Sequence, residues 1–157
     1  MRHGETIDTV LNVISGHRDV SLTEQGFFQA HNVSKQLSGF GIKSIISSDL
    51  TRAKRTAEII AYELGLLPPK ADMRFRERNW GKFEGMPKRC KLSRKDWEKP
   101  PEGETSTDFH IRVMTAFNEL SDLTMVVTHA GPIRCILNTF SIPENTLAPG
   151  EYVCVDF

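Results

Sequence analysis

The chain has 157 residues, 39% of them hydrophobic and 25% charged, with 20 basic and 20 acidic side chains. These values are typical of one soluble globular domain over residues 1–157, and zero net charge argues against nucleic acid or anionic membrane as its partner. Because no apolar run reaches a membrane span and no secretory signal is present, we expect a cytoplasmic protein.

The three cysteines, Cys90, Cys135 and Cys154, are widely spaced and form no C-x-x-C pair. This pattern is typical of reduced cysteines that pack within a cytosolic protein. We therefore expect neither a structural zinc site nor any other bound metal or cofactor. The sequence leaves the oligomeric state open.

The first predicted element in chain order is a helix from Thr23 to about Ser38, with an apolar face that includes Phe27 and Val33. A short β-branched run at 44–48 then predicts a buried strand. It leads into a second helix over 49–65.

Asp49 is predicted to be the N-cap of this second helix, and Gly65 to end it. A third helix is predicted over 106–120, with Glu104 and Thr105 at its start.

The end of the chain predicts a strand over 124–129, a helix with Pro132 in its first turn, and a final strand over 152–157. Strands that alternate with amphipathic helices indicate an α/β protein. We expect three α/β/α layers, with a mostly parallel central sheet covered on both faces.

Residues 86–103 interrupt this alternation with a polar stretch that is basic at first and ends in Pro-Pro-Glu-Gly. Two interpretations remain open for this basic segment. It is either a solvated surface excursion or a lid over an anionic substrate.

Charged or titratable side chains follow the predicted strands at three places: Arg2-His3, Arg52 and His129. Ligands of open α/β sheets bind beyond the carboxyl ends of the strands, so we expect these side chains to converge. Backbone N–H groups near Ala130 would add the N-terminus of a helix. Two guanidinium groups, two imidazoles and a helix N-terminus favour a phosphoryl group as ligand.

The opening MRHGET resembles the signature of the histidine phosphatase superfamily, in the branch similar to cofactor-dependent phosphoglycerate mutase. Further blocks resemble the family in the same order along nearly the whole chain. They are SGHRDVSLTEQGFFQA (15–30), SSDLTRAKRTAEII (47–60), RERNWGKFEG (76–85), PEGETSTDFHIRV (101–113) and VVTHAGPIR (126–134).

The resemblance implies that His3 is the nucleophile and is transiently phosphorylated. It implies that Arg2, Arg52 and His129 hold the phosphoryl oxygens, and that Glu77 is the acid and base. Neutral imidazole is a competent nucleophile near pH 7, and fixed cations stabilise an in-line displacement at phosphorus without a metal.

The resemblance also indicates which residues contact the substrate. Thr9 stands where many members carry a phosphate-contacting asparagine, although Asn12 is an alternative. Together with Ser15, Gly16 and Ala130, Thr9 is predicted to contact the substrate. We interpret the remaining candidates as structural: Glu84, Trp80, His17, His31 and His110. Of these, His17 is the one that could touch the substrate.

The N-terminus departs from the family, whose members have four or five apolar residues of a central strand before R-H-G. Only Met1 precedes it here. We expect either missing residues, which we favour, or a truncated strand.

For the function, the resemblance implies a metal-independent phosphatase that acts on a small phosphorylated metabolite. The short segment 86–103 favours hydrolysis, since mutases of the family carry a long insert there. An α-ribazole phosphatase is a narrower candidate. The alternatives are a mutase, a protein phosphohistidine phosphatase and an inactive phospholigand-binding module.

Overall fold

The computed structural model of the chain describes residues 1–143 and 147–155. Three parallel strands form its central sheet in the order β2–β1–β3. Ile46 of the middle strand pairs with Lys70 on one side and with Val126 on the other. The strands are β1 (Ser44–Ser47), β2 (Lys70–Ala71) and β3 (Thr124–Val127).

Helices flank the sheet in the expected three-layer α/β/α arrangement. α2 and α3 pack together with the sheet around one core, which includes Val33, Ile60 and Val127. α5 and α6 form a second cluster around Val113 and Ile136. The helices are α1 (Ile7–Val10), α2 (Glu24–Leu37), α3 (Thr51–Glu63), α4 (Arg94–Glu98), α5 (Ser106–Asn118) and α6 (Ala130–Thr139), with 3₁₀ turns at Met73–Phe75 and Gly81–Phe83.

Several predicted helix boundaries are confirmed. The Thr23 and Thr105 side chains accept N-capping hydrogen bonds at the starts of α2 and α5. Gly65 follows α3 with a φ of 66°, a left-handed conformation that favours glycine. Pro132 lies in the first turn of α6.

The prediction that Asp49 caps α3 is wrong. Leu50 is the N-cap residue and makes no side-chain cap bond. The Asp49 carboxylate instead pairs with the Arg76 guanidinium. Asp19, from an earlier loop, supplies the missing acceptor, since its Oδ1 accepts the Thr51 N–H at 2.8 Å.

The predicted strand over 152–157 is wrong for residues 152–155, which form no strand, while 156 and 157 lie outside the described residues. The backbone just before it does pair with the N-terminus, because Gly150 N–H donates to the His3 carbonyl and Arg2 N–H donates to that of Glu151. Residues 152–155 instead pack through their side chains, since the Tyr152 ring contacts the Phe40 ring and Val155 packs on the cluster formed by α5 and α6.

The N-terminal segment makes a single parallel bridge to the sheet, between Arg2 and Thr128. The Met1 backbone nitrogen donates to the Val126 carbonyl at 2.8 Å.

A groove of about 600 Å³ lies next to Met1, between β3 and residues 152–155. We call it the β3 groove, and apolar side chains such as Leu37, Phe40 and Ile136 line much of it. His3, Arg52 and His129 are not part of its lining. Within residues 1–143 and 147–155, no helix is both long and apolar enough to cross a bilayer.

Candidate active site

The predicted convergence of charged residues at the carboxyl ends of the strands is present. His3 follows the bridge between Arg2 and Thr128, and Arg52 lies in the first turn of α3, just after β1. His129 follows β3 and is the N-cap residue of α6. We call the space bounded by Arg2, His3, Arg52 and His129 the basic pocket. All four residues are buried.

His3 presents one ring nitrogen to the pocket. Its Nδ1 lies 2.7 Å from the Gly4 carbonyl, an acceptor, so Nδ1 carries the proton in the neutral ring. Its Nε2 therefore keeps a lone pair, to which Arg52 Nε donates at 3.3 Å. Burial, and then the charge of Arg52, lowers the pKa of His3 well below 6.5, so the imidazole is neutral near pH 7.

The loop before α2 fixes the Arg52 guanidinium. One terminal nitrogen donates to the Arg18 carbonyl at 2.7 Å and the other to the Gly16 carbonyl at 2.8 Å. Each terminal nitrogen carries two hydrogens, so one on each remains for a further acceptor. The side chain is held in place and still has donors for an anion.

His129 and Arg2 have buried nitrogens that lack partners among the described residues. They are both ring nitrogens of His129 and Nε of Arg2. The rings of His3 and His129 lie 5.0 Å apart, centroid to centroid. Burial, followed by the charge of Arg52, lowers the pKa of His129 well below 6.5. Unpaired buried donors are costly, and an anion in the basic pocket would satisfy them.

Glu77 lies beside the basic pocket. Its Oε1 accepts the Arg78 N–H at 2.8 Å, and its Oε2 accepts the Gly131 N–H at 3.1 Å, in the first turn of α6. Burial lowers the pKa of both Arg2 and Arg52, and the charge of Glu77 is the largest opposing influence on each. The carboxylate is therefore fixed within electrostatic reach of both guanidinium groups.

The residues predicted to contact the substrate have different roles in the structure. The Thr9 oxygen accepts the Thr6 N–H at 2.9 Å in the capping box of α1, and its hydroxyl hydrogen is used separately by the Thr6 carbonyl at 2.7 Å. Gly16 contributes its carbonyl to Arg52, while the Ser15 carbonyl accepts from Arg18 N–H. Ala130 is the first residue of α6.

Glu84 and His17 support this loop. Glu84 Oε1 accepts the backbone N–H groups of His17 and Trp80, at 2.8 and 3.1 Å, and its carboxylate fills the space a Cβ on Gly16 would need. His17 Nε2 lies 2.8 Å from the Glu77 carbonyl. Glu84 therefore has the structural position expected of it.

The other two histidines lie on the surface, away from the pocket. His31 pairs with Glu63, and His110 contacts Cys135. Glu104 does not cap α5 as predicted, because its carboxylate pairs with Arg112 and accepts the Asn79 N–H.

Sequence reasoning assigned no role to Lys88, in the basic segment. Its backbone N–H donates to the Asn12 carbonyl, and the residue is exposed. Partial desolvation, then the charge of Arg2, lowers the pKa of Lys88, and Glu77 opposes this shift. Lys88 also contributes to the lowered pKa of His3, so its charge lies within electrostatic reach of the basic pocket. The abundance of lysine and arginine in 86–103 was the one signal available.

The basic segment also contacts the chain around Glu77. Trp97 of α4 packs on Trp80, with ring centroids 4.8 Å apart. The Arg78 guanidinium lies over the Trp80 ring and donates to the Glu98 carbonyl at 2.9 Å. In the part of the chain that the structure describes, no group of three or more His, Cys, Asp or Glu side chains could hold a metal ion.

Comparison with known proteins adds to this geometry. The profile of the histidine phosphatase superfamily (branch 1) matches residues 1–149. A Yersinia pestis protein named "Probable phosphoglycerate mutase GpmB" is 36% identical over 155 residues, which cover 88% of this chain and 72% of that protein.

Two solved structures share the fold. The phosphoglycerate mutase of Thermus thermophilus superposes with a TM-score of 0.78 at 30% identity, covering 94% of this chain and 85% of that one. An Escherichia coli protein proposed to be an alpha-ribazole-5'-P phosphatase has a TM-score of 0.77 at 28% identity. That superposition covers 91% of this chain and 78% of the other.

Proposed function

Since the chain belongs to the histidine phosphatase superfamily, we propose that it hydrolyses a small phosphate monoester through a phosphohistidine at His3. The observation that carries this proposal is the Nε2 lone pair of His3 beside Arg52, together with the buried nitrogens of His129 and Arg2 that find no partner among the described residues. We further propose that residues 1–157 act as one cytoplasmic domain whose partner is a phosphorylated metabolite.

In the first step, His3 Nε2 attacks phosphorus as the bond to the ester oxygen breaks. The P–N bond forms, and protonated Glu77 gives its proton to the leaving alkoxide. Arg2, Arg52 and His129 donate to the phosphoryl oxygens, where charge lies in the transition state. The Gly4 carbonyl, which accepts from Nδ1–H, stabilises the positive charge that the ring acquires.

In the second step, water attacks the phosphohistidine and the P–N bond breaks. The Glu77 carboxylate takes a proton from the water, and His3 returns to its neutral form. Glu77 thereby regains the proton that it lost, and phosphate leaves the basic pocket. Arg2 and Arg52 supply the positive charge that neutralises the phosphoryl oxygens.

Two features support hydrolysis and a small substrate. The chain between Glu84 and α5 contains only the five-residue helix α4, whereas a mutase has to retain its phosphorylated intermediate in a closed site. The charge of Lys88 acts on both Arg2 and His3, so this side chain is suited to a second anionic group of the substrate. An α-ribazole phosphate is one candidate, as the E. coli neighbour suggests.

The second candidate function is phosphoglycerate mutase-type phosphoryl transfer. The names of the Yersinia and Thermus relatives favour it. A mutase returns the phosphoryl group to the bound intermediate, while a phosphatase gives it to water. 3-Phosphoglycerate supplied with its bisphosphate cofactor separates the two, because only a mutase yields 2-phosphoglycerate faster than inorganic phosphate.

The decisive test of the phosphatase is His3→Ala. We expect this variant not to turn over p-nitrophenyl phosphate. When the reaction with a radiolabelled phosphate ester is stopped without acid, the wild type should retain a labelled phosphoryl group and the variant should not. His31→Ala is the matched control, since His31 is a surface histidine paired with Glu63. Undiminished turnover by His3→Ala would sink the proposal. If the wild type binds phosphate but turns over no ester, the result would favour the alternative of an inactive phospholigand-binding module.

A further inference from the structure

The chain that carries Glu77 has no regular secondary structure. Residues 76–80, which we call the acid segment, lie between the two 3₁₀ turns. Strands and helices position their residues through repeated backbone hydrogen bonds, and the acid segment has no such ladder. Other groups have to satisfy its carbonyls and fix its course.

One side chain of α5 serves the carbonyls at the start of the acid segment. Arg112 donates to three carbonyls around the acid segment: from one terminal nitrogen to Arg74 at 2.7 Å and to Arg76 at 2.9 Å, and from the other to Glu77 at 2.9 Å. A single guanidinium thus spans four residues of the chain and ends at the residue proposed as acid and base.

The remaining donors of Arg112 are used by Glu104. Arg112 Nε donates to one carboxylate oxygen at 2.9 Å and a terminal nitrogen donates to the other at 2.5 Å. All five N–H groups of the guanidinium are therefore used. Glu104 also accepts the Asn79 N–H at 2.7 Å, so the pair holds the acid segment on both sides of Glu77.

Packing fixes Arg112 in turn. Its guanidinium lies over the Phe109 ring, 5.0 Å from the centroid. The edge of the same ring lies 3.3 Å from the position that a Cβ on Gly131 would occupy, and Gly131 N–H is the donor to Glu77 Oε2. Arg112 and Gly131 therefore locate Glu77 from its backbone and from its carboxylate.

We propose that Arg112, held by Glu104, is a positioning residue that aims the Glu77 carboxyl group at the reacting oxygen atoms. This inference rests on the proposed function, in which Glu77 protonates the leaving group and then activates water. Arg112 itself touches neither substrate nor the phosphoryl group. It acts through the backbone of the acid segment.

The test is Arg112→Lys, assayed with an alkyl phosphate and with p-nitrophenyl phosphate. The kcat/KM value reports the steps up to loss of the leaving group. An alkoxide needs the proton of Glu77, whereas p-nitrophenolate leaves without one. Because a misplacement of about 1 Å can cost on the order of 100-fold, we expect kcat/KM to fall about 10- to 100-fold for the alkyl ester. For the nitrophenyl ester we expect a fall within about threefold.

Hydrolysis of the phosphohistidine supplies a second readout. It is the same step for both substrates and needs Glu77 as a base. Where this hydrolysis step limits kcat, Arg112→Lys should lower kcat by the same factor for both esters. A merely structural role of Arg112 would lower kcat/KM for both esters by one factor, and that result would overturn the proposal.

Arg74→Lys is the control, because Arg74 pairs with Asp72 and Glu119 at the edge of the same region and its side chain does not contact Glu77. We expect it to leave the ratio of the two kcat/KM values unchanged. If Arg112→Lys fails to fold, Glu104→Gln is the second variant, because it weakens the pairing of Glu104 with Arg112. It should change the ratio of the two kcat/KM values in the same direction. A wild-type protein that forms no phospho-His3 contradicts the proposed function instead.

Discussion

The basic pocket and the β3 groove are lined by different kinds of side chain. Guanidinium and imidazole groups bound the pocket, whereas mostly apolar side chains line the groove. Burial is the largest cause of the lowered pKa of His3 and His129 in the pocket. The pocket can therefore offset the burial of its nitrogen bases by binding an anion, which the apolar side chains of the groove would not stabilise.

The largest expected effect concerns the pocket. Arg52→Lys keeps a positive charge and loses the guanidinium fork that joins the loop carbonyls to His3. We expect kcat/KM for p-nitrophenyl phosphate to fall about 10²–10³-fold, the usual cost of one donor to a transition-state oxyanion. Arg55→Lys, on the exposed face of the same helix, is the control. A fall below tenfold would contradict the role given to Arg52.

The smaller effect concerns binding to the pocket alone. Inorganic phosphate at a hundred times its dissociation constant for the wild type should stabilise the folded chain by about 2.7 kcal/mol, measured as the shift in urea unfolding. At the same phosphate concentration Arg52→Lys should gain less stability, whereas Arg55→Lys should gain as much as the wild type. Equal stabilisation of wild type and Arg52→Lys would place the phosphate elsewhere.

The fold and the centre of the site could be predicted because local patterns encode them. Thr23 and Thr105 are caps whose own side chains accept the hydrogen bonds, and β1 is a β-branched run followed by an amphipathic helix. The order of the blocks places His3, Arg52 and His129 at strand ends. The structure confirms that these residues lie together, while their catalytic roles remain predictions.

The wrong and missing predictions depend on contacts between distant parts of the chain. Asp49 has the composition of a cap, yet the partner of Thr51 is Asp19, 32 positions earlier. Residues 152–155 have the composition of a strand, yet they form none and contact Phe40 and the cluster of α5 and α6 through their side chains. Arg112 looks like any surface arginine of an amphipathic helix until the carbonyls of the acid segment are placed around it.

The contact between Trp80 and Trp97 has a practical consequence. These are the two tryptophans of the whole chain, and they join the acid segment to the helix of the basic segment. All intrinsic tryptophan emission of this chain therefore comes from these two rings, and it depends on their contact. It is a built-in optical signal for any movement of the basic segment relative to Glu77.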